Sequence, residues 1–113
     1  MKSLDASTAF SALGHPARLA LFQTLAKARP DTIRAGALAQ ALKIPPSTLT
    51  SHLQVLERSG LIRSARQSRT ILYSVEAETA RSLVDFLVED CCQGNPELCG
   101  ISLSPETSES TAL

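Results

Sequence analysis

All three cysteines of this 113-residue chain fall within nine residues, Cys91-Cys92-Gln93-Gly94-Asn95-Pro96-Glu97-Leu98-Cys99. Thiolates are soft donors, and three of them suit a soft, thiophilic centre. Adjacent side chains on an ideal helix point about 100° apart. Cys91 and Cys92 therefore converge only where a helix ends, and Gly94 with Pro96 supplies that end. The residues between Cys92 and Cys99 give enough reach for the third sulfur to fold back. A structural zinc wants four ligands, and the chain has no fourth cysteine. Zinc or cadmium on three thiolates would also carry a net negative charge beside Glu89, Asp90 and Glu97. Arsenous acid loses water to form a neutral tris-thiolate, which those carboxylates do not penalise. The expected guest is As(III), with Sb(III) as a second inducer.

Other roles for the cysteines compete. Cys91 could be a buried apolar residue. A disulfide between adjacent cysteines is strained, and a reducing cytoplasm disfavours it. A reactive thiolate wants positive charge or a helix N-terminus, whereas these residues lie at a helix C-terminus among acids. No Cys-x5-Arg oxyanion loop follows any of them. Sensing of Cd(II), Pb(II) or thiol oxidation stays open as an alternative. A small thiol enzyme or arsenic carrier is the weaker rival, so the chain is expected not to be an enzyme.

The elements that position this cluster follow from periodicity. Residues 5–13 read as a short helix with Asp5 or Ser7 as cap, ended by Gly14. Pro16 opens a second helix with Leu19, Leu21, Phe22 and Leu25 helically spaced. Residues 33–42 read as a third, with Leu38, Ala39 and Leu42 inward. After the turn Lys43-Ile44-Pro45, residues 46–58 form a fourth with Leu49, Leu53 and Leu56 as its apolar row, stopped by Ser59-Gly60. Residues 61–65 and 70–75 have strand content, and 66–69 lie between them as a tip. A last helix spans 77–91, with Ala80, Leu83, Val84, Leu87, Val88 and Cys91 on one stripe. The polar, aromatic-free stretch from Ile101 reads as a disordered tail. The expected organisation is one folded domain over 1–92, a cysteine-bearing segment over 93–100 and the tail over 101–113.

Charge separates the middle of the chain from its end. The net charge is zero. Residues 34–74 nonetheless set Arg34, Lys43, Arg58, Arg63, Arg66 and Arg69 against Glu57 alone. Residues 75–113 set Arg81 against Glu76, Glu78, Asp85, Glu89, Asp90, Glu97, Glu106 and Glu109. A basic middle suits a polyanion that the overall sum would hide. The length leaves no room for a large catalytic barrel or a dinucleotide-binding fold. No apolar run approaches the roughly 20 residues of a membrane span, and the N-terminus lacks a signal-peptide core. The expected location is cytoplasmic.

Two short helices around a tight turn, then a helix stop and a basic hairpin, make a winged helix-turn-helix. The fold class is mainly α with a small β-hairpin wing. Leu49, Leu53 and Leu56 bury one face of the reading helix, and Ser47, Thr48, Thr50, Ser51 and Gln54 present small polar groups to a major groove about 12 Å wide. Gln54 can pair with an adenine edge. The free amides at the helix start favour a phosphate. Arg63, Arg66 and Arg69 recur every third residue, so a regular strand cannot place all three on one face. Arg66 and Arg69 bracket the tip and reach phosphate or minor groove. His52 reads as a packed, hydrogen-bonded histidine rather than a ligand, His15 as the end of the loop before Pro16, and Tyr73 as strand packing.

Three stretches resemble the ArsR/SmtB family of bacterial metalloregulatory repressors: LGHPARLALFQTL (13–25), ALAQALKIPPSTLTSHLQVLERSGLI (37–62) and RSARQSRTILYSV (63–75). The resemblance covers most of residues 5–92, and SHLQVLERSGLI is its most specific string. It implies a homodimer through the first and last helices, a recognition helix over 46–58, and repression of a resistance operon relieved by a metal or metalloid. Arsenic sensors of the family place three cysteines in several locations, this end of the last helix among them. One departure matters. The family's common arsenic site precedes the recognition helix, and here Leu38 to Ile44 contain no cysteine. The last helix also lacks the histidines of the family's zinc sites. Sensing must therefore run through residues 91–99.

Overall fold

A computed structural model describes residues 2–91 of the chain. In chain order the elements are α1 (Ser3–Leu13), α2 (Pro16–Ala28), β1 (Ile33–Arg34), α3 (Ala35–Leu42), α4 (Pro46–Arg58), β2 (Ile62–Gln67), β3 (Thr70–Val75) and α5 (Ala77–Phe86), which continues as a π turn over Leu87–Cys91. The strands form an antiparallel sheet in the order β1-β3-β2, with Ile33 opposite Tyr73 and Ile62 opposite Val75. The architecture is the expected mainly helical winged helix-turn-helix. Among the described residues, no helix is long and apolar enough to cross a membrane. Cys92, Cys99, the segment 93–100 and the tail 101–113 lie outside the described residues.

Leucine is the main packing material. Leu21 and Leu25 of α2, Leu38 of α3, and Leu49, Leu53 and Leu56 of α4 are almost wholly excluded from solvent. They meet Leu61 just before β2, Ile62, Tyr73 and Val75 from the sheet, the small face of α1 at Ala6, Ala9 and Ala12, and Leu83 of α5. Alanines on α1 let the helix approach closely; each buried leucine on its partners contributes about 1.5–3 kcal/mol.

Two helix ends set the geometry of the reading unit. At the end of α4 the Leu61 amide donates to the Leu56 carbonyl and the Gly60 amide to Glu57, with Gly60 at φ +85°. This is a Schellman motif, and glycine occupies its left-handed position at no steric cost. The end of α3 repeats it: Ile44 donates to Ala39 and Lys43 to Gln40, but here the left-handed residue is Lys43, at φ 55°. The helix-turn-helix bend is thus closed by a lysine where glycine is the usual choice.

Several expectations are corrected. The first helix starts at Ser3, and its N-cap residue Lys2 makes no side-chain cap, so Asp5 lies in the first turn and neither it nor Ser7 caps. Ile33 and Arg34 are strand rather than helix, because their pairing with Tyr73 and Leu72 satisfies backbone groups that a helix start would leave open. Leu19 is 44% exposed, on the outer side of α2. Arg66 and Gln67 belong to β2, which leaves only Ser68 and Arg69 at the tip. Ser68 takes φ 60°, so a two-residue turn forms without glycine or asparagine. The last α-helix ends at Phe86 and widens into the π turn.

Candidate nucleic-acid interface

Helix α4 has two opposite faces. At about 100° per residue, Leu49, Leu53 and Leu56 point into the core, and Ser47, Thr50, Ser51 and Gln54 form a stripe on the far side. All four of these, and Thr48 at the stripe's edge, are exposed. The exposed stripe carries no charge of its own, so it can approach base edges without a fixed preference for phosphate. Thr50 donates its hydroxyl to the Pro46 carbonyl at 2.9 Å, and Ser51 donates to Ser47 at 3.4 Å. Their free lone pairs then face outward as acceptors.

The start of α4 is open. Pro46 has no N–H, Pro45 offers no side-chain cap, and the first helical amide to find a carbonyl is that of Leu49, on Pro45. The amides of Ser47 and Thr48 therefore face outward beside two exposed hydroxyls. Together with the helix dipole they favour an anion such as a backbone phosphate. Lys43, exposed in the turn just before, adds a cation to the same end.

Strand register sorts the three wing arginines. Opposite residues share a face, so Arg66, paired with Ile71, lies on the same side as Ser64, Tyr73 and Val75, the side that packs on the helices. Arg63, paired with Ser74, lies on the other side. Its guanidinium is 3.6 Å from the Glu76 carboxylate at the foot of α5. Arg69 is at the exposed tip. The structure thus places Arg66 and Arg69 at the far end of the wing and ties Arg63 to its base. Beside that base Ser64 donates to Glu57 at 2.7 Å, and Tyr73 packs in the core, its phenol pushed up by burial and by the Glu57 charge.

Two histidines that the sequence offers singly meet in a half-buried constellation. His15 is the N-cap of α2, its Nδ1 accepting the Ala17 amide at 3.1 Å. Its ring lies 4.6 Å from that of His52 on α4, centroid to centroid. Arg18 donates Nε to the Ala12 carbonyl at the end of α1 and approaches His52 Nδ1 through Nη1 at 3.4 Å. Burial, then His15 and the Arg18 cation, hold the His52 imidazole below the usual histidine range. The available signal was Arg18 itself, a charge at i−3 and i−7 from the two buried leucines of α2.

The cysteine cluster is reached only at its edge. Cys91 closes the π turn, the last described position. Among the described residues, no three of His, Cys, Asp and Glu converge as a metal-holding group.

Comparison with known proteins agrees with the geometry. A helix-turn-helix domain model matches residues 13–65, from the end of α1 into β2. The HTH-type transcriptional regulator YgaV of Escherichia coli K12 is 31% identical over 88 residues, spanning 78% of this chain and 87% of that protein. The biofilm growth-associated repressor of Agrobacterium fabrum is 30% identical over 91 residues, spanning 80% and 75%. The crystal structure of an ArsR family transcriptional regulator superposes with a TM-score of 0.67 at 26% identity, covering 76% of this chain and 91% of the other. The chain therefore belongs to the ArsR family of winged helix-turn-helix transcriptional regulators, DNA-binding proteins rather than enzymes.

Proposed function

We propose that this chain is a cytoplasmic homodimeric repressor that holds operator DNA through α4 and the wing and lets go when Cys91, Cys92 and Cys99 take up As(III), with Sb(III) as a second inducer. The observation that carries the DNA contact is α4 itself: leucines beneath, Ser47, Thr50, Ser51 and Gln54 above, and two unsatisfied amides at its start. Dimerisation is supported by apolar surface on the first and last helices. Phe10 on α1, Val84 on α5 and Leu87 in the π turn are all exposed in the single chain. A two-fold pair would set the two reading helices about 34 Å apart, one turn of the duplex.

The donor set supports a thiophilic guest: three sulfurs within nine residues and carboxylates rather than cations beside them. When bound, As(III) supplies a neutral three-sulfur crosslink. The chain's contribution is the path from that site. Cys91 is continuous through the π turn with α5, and α5 packs on α1, the other helix of the proposed dimer face. Wide turns of this kind are uncommon and recur at functional sites. A coupling of about 1–3 kcal/mol would weaken operator binding roughly 5–150-fold.

Fluorescence anisotropy of a labelled duplex from the promoter of its own operon, with and without arsenite, tests both halves. Binding without arsenite and release with it is the expected result. Binding unaffected by arsenite would retain the repressor and remove the sensor. Replacing Cys91, Cys92 or Cys99 by Ser should keep binding and abolish release.

A further inference from the structure

The junction of His15, Arg18 and His52 joins the end of α1 to the middle of the reading helix, and its contacts favour particular donor and acceptor roles. A guanidinium only donates. The Arg18 contact at 3.4 Å therefore requires a lone pair on His52 Nδ1. The Ala17 amide also only donates, so His15 Nδ1 carries a lone pair as well. A lone pair on each Nδ1, with the ring proton on Nε2, satisfies both contacts. Protonating either one would set an N–H against a donor, and protonating both would face two cations 4.6 Å apart, beside a third on Arg18.

We propose that Arg18 and His52, with His15, are positioning residues that hold α4 in register with α1, and that they hold it only while both imidazoles are neutral, so that acid loosens the reading helix and weakens operator binding. The inference rests on the DNA-binding reading of α4. The strut has three ends. Arg18 takes the Ala12 carbonyl, one of the α1 carbonyls left without a helical partner. It takes His52 on α4. The His52 ring in turn meets, at a tilt of 49°, that of His15, which caps the helix that bears Arg18. The charged or titratable groups facing His52 are His15 from the α1–α2 link and Arg18 from α2, while α1 presents a neutral carbonyl. Among the described residues no carboxylate pairs with either ring, so nothing compensates an added proton.

The lowered titration of His52 sets the direction. A group whose folded value is depressed contributes stability that is complete above its usual value of 6.5 and is lost as the pH falls below it. The direction is diagnostic, because added positive charge near DNA ordinarily tightens binding.

The test is the ratio of Kd values for the labelled promoter duplex at about pH 5.5 and about pH 7.5, measured at constant salt. Asparagine is the isostere of choice, since its Oδ1 stands where imidazole Nδ1 stands, accepts like it, caps helices well and does not titrate. The intact chain should lose affinity by about fivefold or more on acidification, and His15→Asn/His52→Asn should flatten the ratio. An intact chain whose affinity holds or rises in acid overturns the proposal. So does a double variant that loses affinity as the intact chain does. A second arm needs neither variant nor DNA: imidazole nitrogen NMR of the intact chain should show both rings in the Nε2–H form near neutral pH. An Nδ1–H form at either ring overturns the junction. Failure to bind the duplex near neutral pH would count against the DNA reading, and the NMR arm would then decide the junction alone.

Discussion

Helices α4 and α5 are both amphipathic, yet only one of them is finished within a single chain. The apolar row of α4 is wholly covered, and what it leaves outside is hydroxyl and amide, followed by Glu57 and Arg58 at its C-terminal end. The stripe of α5 is half covered: Leu83 and Val88 are buried, while Val84 is 46% and Leu87 41% exposed. A polar outer face suits a hydrated partner such as DNA. An apolar outer face asks for another protein surface. On the proposed reading, the same fold offers one face for DNA and one for pairing.

Substitutions should separate the two. Leu53→Ala opens a cavity beneath α4, and chemical denaturation should record a loss of about 2–5 kcal/mol. Val84→Glu should leave the fold intact, shift sedimentation from dimer to monomer, and weaken operator binding by about 100-fold through lost avidity. A monomeric wild-type chain would dissolve the contrast between the helices. Gln54→Ala should cost about 1–3 kcal/mol of discrimination at one base pair, read from a panel of operator variants. Arg66→Ala should weaken all duplexes alike and lower the salt slope by about one. Arg63→Ala should do less, because that side chain already faces Glu76. The smallest effect is Lys43→Gly. Relief of a left-handed lysine should raise stability by about 1 kcal/mol, while the loss of its charge weakens DNA binding slightly.

What the residues announced in advance was local. The span of α4 follows from Pro46 at its start and Ser59-Gly60 at its end, and its buried row from leucines at helical spacing. What they concealed was non-local. Ile33 and Arg34 run into an Ala- and Leu-rich helical pattern, and only β3, some forty residues on, makes them a strand. Leu19 matches the helical period of α2 as well as its buried neighbours do, and only packing tells them apart. The hairpin lacks the residues that advertise a tight turn, because Ser68 accepts a backbone conformation normally left to glycine. For the candidate interface, the exposure of the five α4 residues was legible from polarity and period. The opposed faces of Arg63 and Arg66 were legible only as an exclusion, and the partner of Arg63 not at all. The histidine–arginine junction needed three segments to meet, which no spacing along one segment reveals.

The two-residue strand β1 has a consequence for what this protein can recognise. It sits at the very start of α3 and is sewn to β3, so the root of the helix-turn-helix and the hairpin arm move as one piece. In the proposed complex the arm would not swing independently of the seated reading helix. In the proposed dimer each protomer would work as a fixed caliper, disfavouring DNA whose neighbouring grooves stand at the wrong distance even where every base is correct.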